Sequence, residues 1–187
     1  MKKFTKYILF ISLGLLCSCS DYLDIVPDNV TTLDIVFNNK NTAQRYLANC
    51  YHFVPDHGSV KRIPGMGAGH ECWFYTDKDS YFDNEVSFYI ARGLQNTNAP
   101  YANYWDGEGG SKLPMFRAIR ECNIFLSYVR DQHKVNDLTD SERKRWIAEV
   151  NVLKAYYHFF LFEHYGPIPI VDEALPVSTS SEGVKVT

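Results

Sequence analysis

The sequence contains few cysteines, and those outside its opening segment form no recognisable pairing pattern. Of the five cysteines, Cys50, Cys72 and Cys122 lie downstream, an odd number without the CxxC spacing of a zinc site or a disulfide framework. We therefore predict no structural metal and no cofactor, and we interpret these three residues mainly as buried thiols.

Positive charge is also scarce. Lysine and arginine together number 19 against 22 aspartates and glutamates, which gives a net charge of −3. Residues 1–18 carry three of the lysines and no acidic residue, so their removal would leave 16 basic residues and a net charge of −6. Such a surface repels nucleic acid, and we predict no nucleic-acid partner.

The apolar run near the N-terminus is too short to cross a bilayer. Tyr7–Cys17 has about 11 residues, whereas a spanning helix needs roughly 20. The run follows Lys2, Lys3 and Lys6 and leads into small residues. A basic start, a short apolar core and a small-residue exit are typical of a secretory signal peptide.

Two cysteines end this run, and the residues before them differ. A peptidase that leaves cysteine at the new N-terminus requires a small residue directly before it and a branched apolar residue three positions before it. Cys19 has Ser18 and Leu16 at these places, whereas Cys17 directly follows the large Leu16. We predict a lipobox that ends at Cys19, which would carry acyl chains such as palmitate and anchor the protein durably. Ordinary secretion with a coincidental cysteine is the alternative.

The remaining sequence has the composition of a globular domain. Hydrophobic residues make up 45% and aromatic residues 15% of the chain, well above the content of a disordered protein. The 169 residues after position 18 suffice for one hydrophobic core, and we expect a single folded domain.

Two segments repeat apolar residues at the spacing of a helix that buries one face. In the first, NTAQRYLANCYHFV, we expect Asn41 to cap the helix, with Gln44 three residues later, and Pro55 to end it. The second, LPMFRAIRECNIFLSYV, has Pro114 in its first turn. The predicted buried residues are Ala43, Tyr46, Leu47, Cys50, Phe53 and Val54 in the first helix and Met115, Ala118, Ile119, Cys122, Phe125, Leu126 and Val129 in the second.

A third helix begins at TDSE, where Thr139 and Glu142 have the spacing of a capping box. Gly166 and the prolines that follow it end this helix. Its predicted buried residues are Trp146, Val150, Leu153, Tyr157, Phe160 and Leu161. A second apolar stripe of Ile147, Tyr156 and Phe159 makes the helix apolar on two sides and predicts that it is central.

Patterns typical of an enzyme are weak in this sequence. The acidic residues of Asp77–Glu85 lie in a polar loop, where solvated charges are the simpler interpretation of a carboxylate cluster. His52, His57, His70 and Cys72 match no metal-ligand spacing, and no GxSxG motif surrounds a serine. We interpret Glu149, within the third helix, as a paired structural carboxylate and predict that the protein is not an enzyme.

Several motifs together resemble the N-terminal part of the SusD/RagB family of outer-membrane lipoproteins. They are the Cys19 lipobox followed by SDYLDIVPDN, the segment WIAEVNVLKAYYHFFLFEHYGPIPIVDE, and FRAIRECNIFL, whose Asn123 is similar to a family asparagine. Lys154 stands where the family more often has arginine, which alone can bind a carboxylate through a planar fork.

The resemblance implies an all-α fold of tetratricopeptide-like helix pairs with a long irregular aromatic-rich insertion, here truncated, since family members are much longer. It implies a lipoprotein signal peptide at 1–18, a lipid-anchored segment at 19–40 and the N-terminal part of a helical domain at 41–187. It also implies a surface-exposed outer-membrane protein for nutrient uptake, which captures oligosaccharides for a SusC-like TonB-dependent transporter. The alternative is a scaffold or lid of the same complex that binds no sugar.

The insertion between the first two helices carries the candidate ligand contacts. Between Trp73 and Trp105, 10 of 33 residues are aromatic and are interleaved with acids, amides and an arginine. Flat rings stack on the apolar faces of sugars, while amides, carboxylates and guanidinium groups bind their hydroxyls. Our candidate glycan contacts are Trp73, Tyr75, Asp77, Tyr81, Arg92, Asn98 and Tyr101. We assign Trp105 to packing; packing is also the alternative role for each of the other rings.

Overall fold

The structure, a computed structural model, describes residues 32–59, 63, 65, 67–69, 86–98, 100–108 and 112–174. All regular secondary structure among these residues is helical. The five helices are α1 (Leu33–Val36), α2 (Lys40–Tyr51), α3 (Val86–Ala91), α4 (Met115–Arg130) and α5 (Asp140–Tyr165). No strand occurs among these residues, and the predicted all-α fold is confirmed.

The two longest helices, α4 and α5, form an antiparallel pair. The end of α4 contacts the start of α5, where Arg143 donates hydrogen bonds to the carbonyls of Val129 and Asp131. At the other end of the pair, the first turn of α4 and the last residue of α5 both contact the ring of Trp105. Every residue predicted to face inward on α4 is buried, because its apolar positions follow the helical period.

Helix α2 packs against both members of this pair. Its Tyr46 donates a hydrogen bond to Glu121 of α4, and Tyr157 of α5 donates one to the carbonyl of Cys50. The predicted buried face is confirmed at Ala43, Leu47, Cys50 and Phe53, while Tyr46 is half-buried and Val54 is exposed. The three helices therefore share one core.

Our prediction of the cap of α2 was wrong by two residues. Asn39, not Asn41, is the cap, and its side chain accepts a hydrogen bond from the Thr42 amide at 3.1 Å. The amide of Lys40 is bound by Asp137, at 2.8 Å, in the connection between α4 and α5. Asp137 thus accepts a hydrogen bond from a backbone amide that has no partner within the helix. The spacing of nearby residues could not indicate this contact, because Asp137 is distant in the sequence. The helix also ends at Tyr51, before Pro55.

The predicted start and end of α5 agree with the structure. Thr139 and Glu142 form a capping box, in which each side chain binds the other residue's backbone amide. Gly166 follows the helix with φ of 77°, a conformation that favours glycine. Pro114 was expected inside the first turn of α4 but is its cap residue instead.

One face of α5 is buried as predicted, and the opposite face is not. All six residues of the first stripe are buried, whereas Ile147 and Tyr156 are half-buried and Phe159 is 54% exposed. The ring of Phe159 is therefore left largely uncovered in the described part of the chain. None of the described helices is long and apolar enough to span a membrane.

Candidate functional site

The described part of the insertion contains one short helix, α3, in a segment for which the sequence predicted no regular structure. Gly93 and Leu94 follow it and donate amide hydrogen bonds to the carbonyls of Ile90 and Tyr89, both at 2.9 Å. These two bonds form a Schellman motif, for which Gly93 takes φ of 71°. The motif reverses the chain and leads it back towards Tyr89.

A pair of tyrosine rings lies where the chain returns. Tyr89 and Tyr101 stack with 4.2 Å between ring centroids and 8° between ring planes. Tyr101 packs against the hydrophobic core, and both tyrosines are half-buried. The pair therefore presents aromatic surface at the boundary between the core and solvent, where an apolar sugar face can stack.

Polar side chains fix the loop between these tyrosines. The Gln95 side chain accepts a hydrogen bond from the Tyr101 amide at 2.8 Å, which closes the loop. Asn96 donates to the carbonyl of Leu94 at 3.2 Å and accepts from the amide of Asn98 at 3.1 Å. Asn98 itself is exposed. Backbone positions in this loop are thus set by local hydrogen bonds, and the loop offers amide groups to solvent beside the rings.

Arg92 adds a charged donor to the same surface. It lies three residues after Tyr89, so the two side chains are neighbours on the helical surface, and Arg92 is exposed. A guanidinium group offers several N–H donors in a plane, which suits pairs of neighbouring hydroxyls. The rings, the amides and this guanidinium provide the chemical groups that bind a carbohydrate.

The C-terminal part of the insertion is fastened to the end of α5. Tyr165, the last residue of that helix, accepts a hydrogen bond from the Tyr104 amide at 2.8 Å and donates one to the Ala102 carbonyl at 3.3 Å. The Tyr104 ring is fully buried against Phe160 and His164. Burial raises the pKa of the Tyr104 and Tyr165 phenols. The C-terminal part of the insertion is therefore joined to α5 by hydrogen bonds and by a buried ring.

Trp105 has the ring contacts of a packing residue but is only partly covered. Its ring lies 4.5 Å from that of Phe116 and 5.7 Å from that of Tyr165, measured between centroids. It remains 42% exposed. The packing contacts agree with our assignment, and the exposed part leaves room for a further contact.

Three of the predicted glycan contacts fall within the described residues. Arg92, Asn98 and Tyr101 lie within the compact segment that follows α3. Trp73, Tyr75, Asp77 and Tyr81 lie outside the described residues, as does the predicted lipidation site Cys19. Tyr89 was counted among the aromatic residues of the insertion but was not selected, because its stacking on a residue twelve positions away has no signature in the sequence.

Two positions that resemble family residues hold the segment after α5. Asn123 is buried and donates to the carbonyls of Val171 and Glu173 at 2.9 and 3.2 Å. Lys154 donates to the Asp172 carbonyl at 3.1 Å and contacts the carboxylate of the same residue at 3.2 Å. Lys154 thus makes two contacts although it lacks the planar guanidinium group of arginine. Asn123 and Lys154 both have a structural role.

Glu149 of α5 has a charged partner on the same helix. Glu149, which we interpreted as a structural carboxylate, lies 3.5 Å from Arg145 one turn earlier. Among the described residues, no group of three or more histidine, cysteine or acidic side chains is placed to hold a metal ion.

The family comparison covers most of the chain. The family model SusD-like_3, described as starch-binding and associating with the outer membrane, matches residues 21–185. No curated protein matches the chain significantly. Because the family match spans far more than half of the sequence, the chain belongs to the SusD-like family, whose members are binding proteins associated with the outer membrane.

Proposed function

We propose that this SusD-like protein captures oligosaccharides at the cell surface and passes them to a SusC-like TonB-dependent transporter. The observation that carries the proposal is the family match over residues 21–185, which gives glycan binding at the outer membrane as the general function. The tyrosine pair and the polar loop beside it supply a surface with matching chemistry.

We place the ligand on the surface formed by Tyr89, Arg92, Asn98 and Tyr101. Stacking covers one face of each tyrosine ring, and Tyr101 also packs against the hydrophobic core, so we choose Tyr89 as the ring whose substitution tests the site. Arg92 and Asn98 are exposed and offer donors and an acceptor for hydroxyl groups. Trp73, Tyr75, Asp77 and Tyr81 are kept as candidate glycan contacts in the proposal.

The proposal includes the lipid anchor and the domain boundaries predicted from the sequence. Residues 1–18 are the lipoprotein signal peptide, 19–40 the anchored segment and 41–187 the N-terminal part of the helical domain. Acylation at Cys19 holds the protein at the outer membrane, exposed on the cell surface. There it binds the glycan before the glycan reaches the transporter.

A scaffold that binds no sugar is the second candidate, and one observation favours it. Val152, Phe159 and Phe162 lie on the outer side of α5 and are 69%, 54% and 54% exposed. Exposed apolar residues along one side of a helix suit contact with another protein. In this case the chain would be a helical scaffold or lid of the transporter complex.

Native affinity electrophoresis separates the two functions. The full chain is run through gels that each contain one polysaccharide, starting with soluble starch, and its mobility is compared with a gel without polysaccharide. Retardation by at least one polysaccharide supports glycan capture. No retardation in any gel, together with stable co-purification of the transporter, supports the scaffold.

A further inference from the structure

One side of α5 carries an apolar stripe, the outer stripe, that the described residues leave largely uncovered. Its members are Ala148, Val152, Ala155, Phe159 and Phe162, and all of them are exposed. Val152 is 69% exposed and each phenylalanine is 54% exposed. The spacing between successive members alternates between four and three residues, which is the spacing of the contact positions in a coiled coil. The opposite face of α5 packs against α2 and α4. The pattern therefore favours a second helix as the partner of the outer stripe.

The outer stripe is complementary in size to a second copy of itself. In an antiparallel pair of α5 helices, the two-fold axis would pass between Val152 and Ala155, which would then face each other across the pair. Phe159 of each copy would face the partner's Ala148. Each of these layers combines a larger with a smaller residue, and such alternation fills an interface evenly. A parallel pair would place phenylalanine against phenylalanine at one end and alanine against alanine elsewhere.

The antiparallel arrangement also joins opposite charges at both ends of the stripe. Arg145 lies three residues before Ala148 on the same side of α5, and its side chain is 66% exposed. Glu163, directly after Phe162, is exposed. Arg145 of each copy would therefore lie beside the partner's Glu163, and the two-fold axis repeats this pair. A parallel arrangement would instead bring like charges together at each end, which destabilises an interface.

We infer that the protein forms a symmetric dimer in which the outer stripes of two copies pack antiparallel. Because both copies use the same surface, the interface closes with two copies and does not continue into a filament. In the scaffold alternative the transporter covers this side of α5, whereas the self-complementary order of sizes and charges favours a second copy. The inference goes beyond the proposed glycan binding and does not depend on it.

The size of the outer stripe sets the strength of the dimer. The stripe runs from Ala148 to Phe162, which is about 21 Å of helix. The exposed parts of its valine and two phenylalanines supply roughly 300 Å² of apolar surface in each copy, less than the roughly 800 Å² per partner of a typical stable interface. The dimer should therefore dissociate below micromolar concentration, and stability measurements on dilute protein concern the monomer.

Sedimentation velocity tests the inference. The full chain is used with the substitution Cys19→Ala, so that no acyl chain can bring copies together in a micelle, and is studied from sub-micromolar to sub-millimolar concentration. The sedimentation coefficient should rise reversibly from that of a monomer to that of a dimer. Adding Phe159→Glu should keep the chain monomeric, because the new charge lies in the contact, while the Tm of dilute protein changes little. Leu94→Glu is the control, at a leucine of the insertion that is 47% exposed, and this variant should dimerise normally.

A charge exchange tests the antiparallel arrangement. Arg145→Glu and Glu163→Arg should each raise the Kd of the dimer about 2- to 30-fold, because the symmetry repeats the lost pair. The double variant should recover the Kd of the chain without these two substitutions. A chain that stays monomeric at every concentration would overturn the inference and leave the outer stripe to another partner, such as the transporter. Dimerisation that persists in Phe159→Glu, or a double variant as weak as the single ones, would also overturn it.

Discussion

The ring of Tyr104, in the insertion, packs edge-on against the ring of Phe160 of α5, with 5.0 Å between the ring centroids. Both side chains are at most 1% exposed. The insertion and the longest helix therefore share one core, and the proposed glycan site depends on α5 for its support.

Replacement of Phe160 by alanine should strongly destabilise the protein. The Phe160→Ala variant loses a fully buried ring, and we expect its free energy of unfolding to fall by about 3–5 kcal/mol in urea denaturation. Phe159→Ala is the matched control, because the neighbouring ring is 54% exposed, and its effect should stay within about 0.5 kcal/mol. Equal losses in the two variants would mean that the wrong face of α5 has been placed inward.

Substitution of Gly93 should lower the stability of the protein because of its backbone conformation. It has φ of 71°, and a Cβ atom added there would meet nothing within 4 Å. Gly93→Ala should therefore cost about 1–2 kcal/mol through backbone strain alone. Gly58→Ala is the control, since Gly58 has no positive φ, and it should change stability less. If urea denaturation shows no loss for Gly93→Ala, the Schellman motif after α3 does not form as described.

Glu142 makes stability depend on pH. Hydrogen bonds from Lys40 and from Thr139 lower the pKa of this carboxyl from 4.5 to about 2. Because the folded-state pKa is the lower one, the stabilisation is present above pH 4.5 and is lost as the pH falls towards 2. The Tm of Glu142→Gln should lie below that of the wild type at pH 7, and the difference should shrink between these two pH values. Glu163→Gln, at an exposed carboxylate on α5, serves as the control. A difference that is constant with pH would contradict the assignment.

Much of the helical core could be predicted from the sequence because its signals are local. The spacing of Ala118, Cys122 and Phe125 on one face of α4 follows from the helical period, and the capping box of Thr139 and Glu142 spans three residues. Both agree with the structure.

The features that the sequence did not predict depend on contacts between distant residues. The cap of α2 is Asn39 and not the predicted Asn41, and Asp137 accepts a hydrogen bond from the amide of the next residue, Lys40. Arg143 is buried although it is charged, because one carbonyl at the end of α4 and three in the connection before α5 accept its hydrogen bonds. In the candidate site, the stacking of Tyr89 on Tyr101 depends on a reversal of the chain at Gly93, which no periodic pattern marks.

The lipid anchor can be tested by two single substitutions. If Cys19 is acylated, Cys19→Ala should release the protein into the soluble periplasmic fraction, because the acyl chains supply the membrane affinity. Cys17→Ala is the control and should stay with the membrane. Equal retention of the two variants would refute the lipobox. Protease treatment of whole cells then tests surface exposure, and full protection would place the protein on the inner leaflet of the outer membrane.

The affinity of the Tyr89→Ala variant for a polysaccharide tests the central claim most directly. The probe is the polysaccharide that retards the wild-type chain most in native affinity gels, and apparent Kd values are taken from the dependence of mobility on its concentration. Loss of one stacking ring, worth roughly 0.5–1.5 kcal/mol, should raise Kd about 2- to 13-fold with little change in Tm. Tyr51→Ala, at an exposed tyrosine of α2, should bind like the wild type. Unchanged affinity in Tyr89→Ala would contradict the placement of the glycan site on this surface.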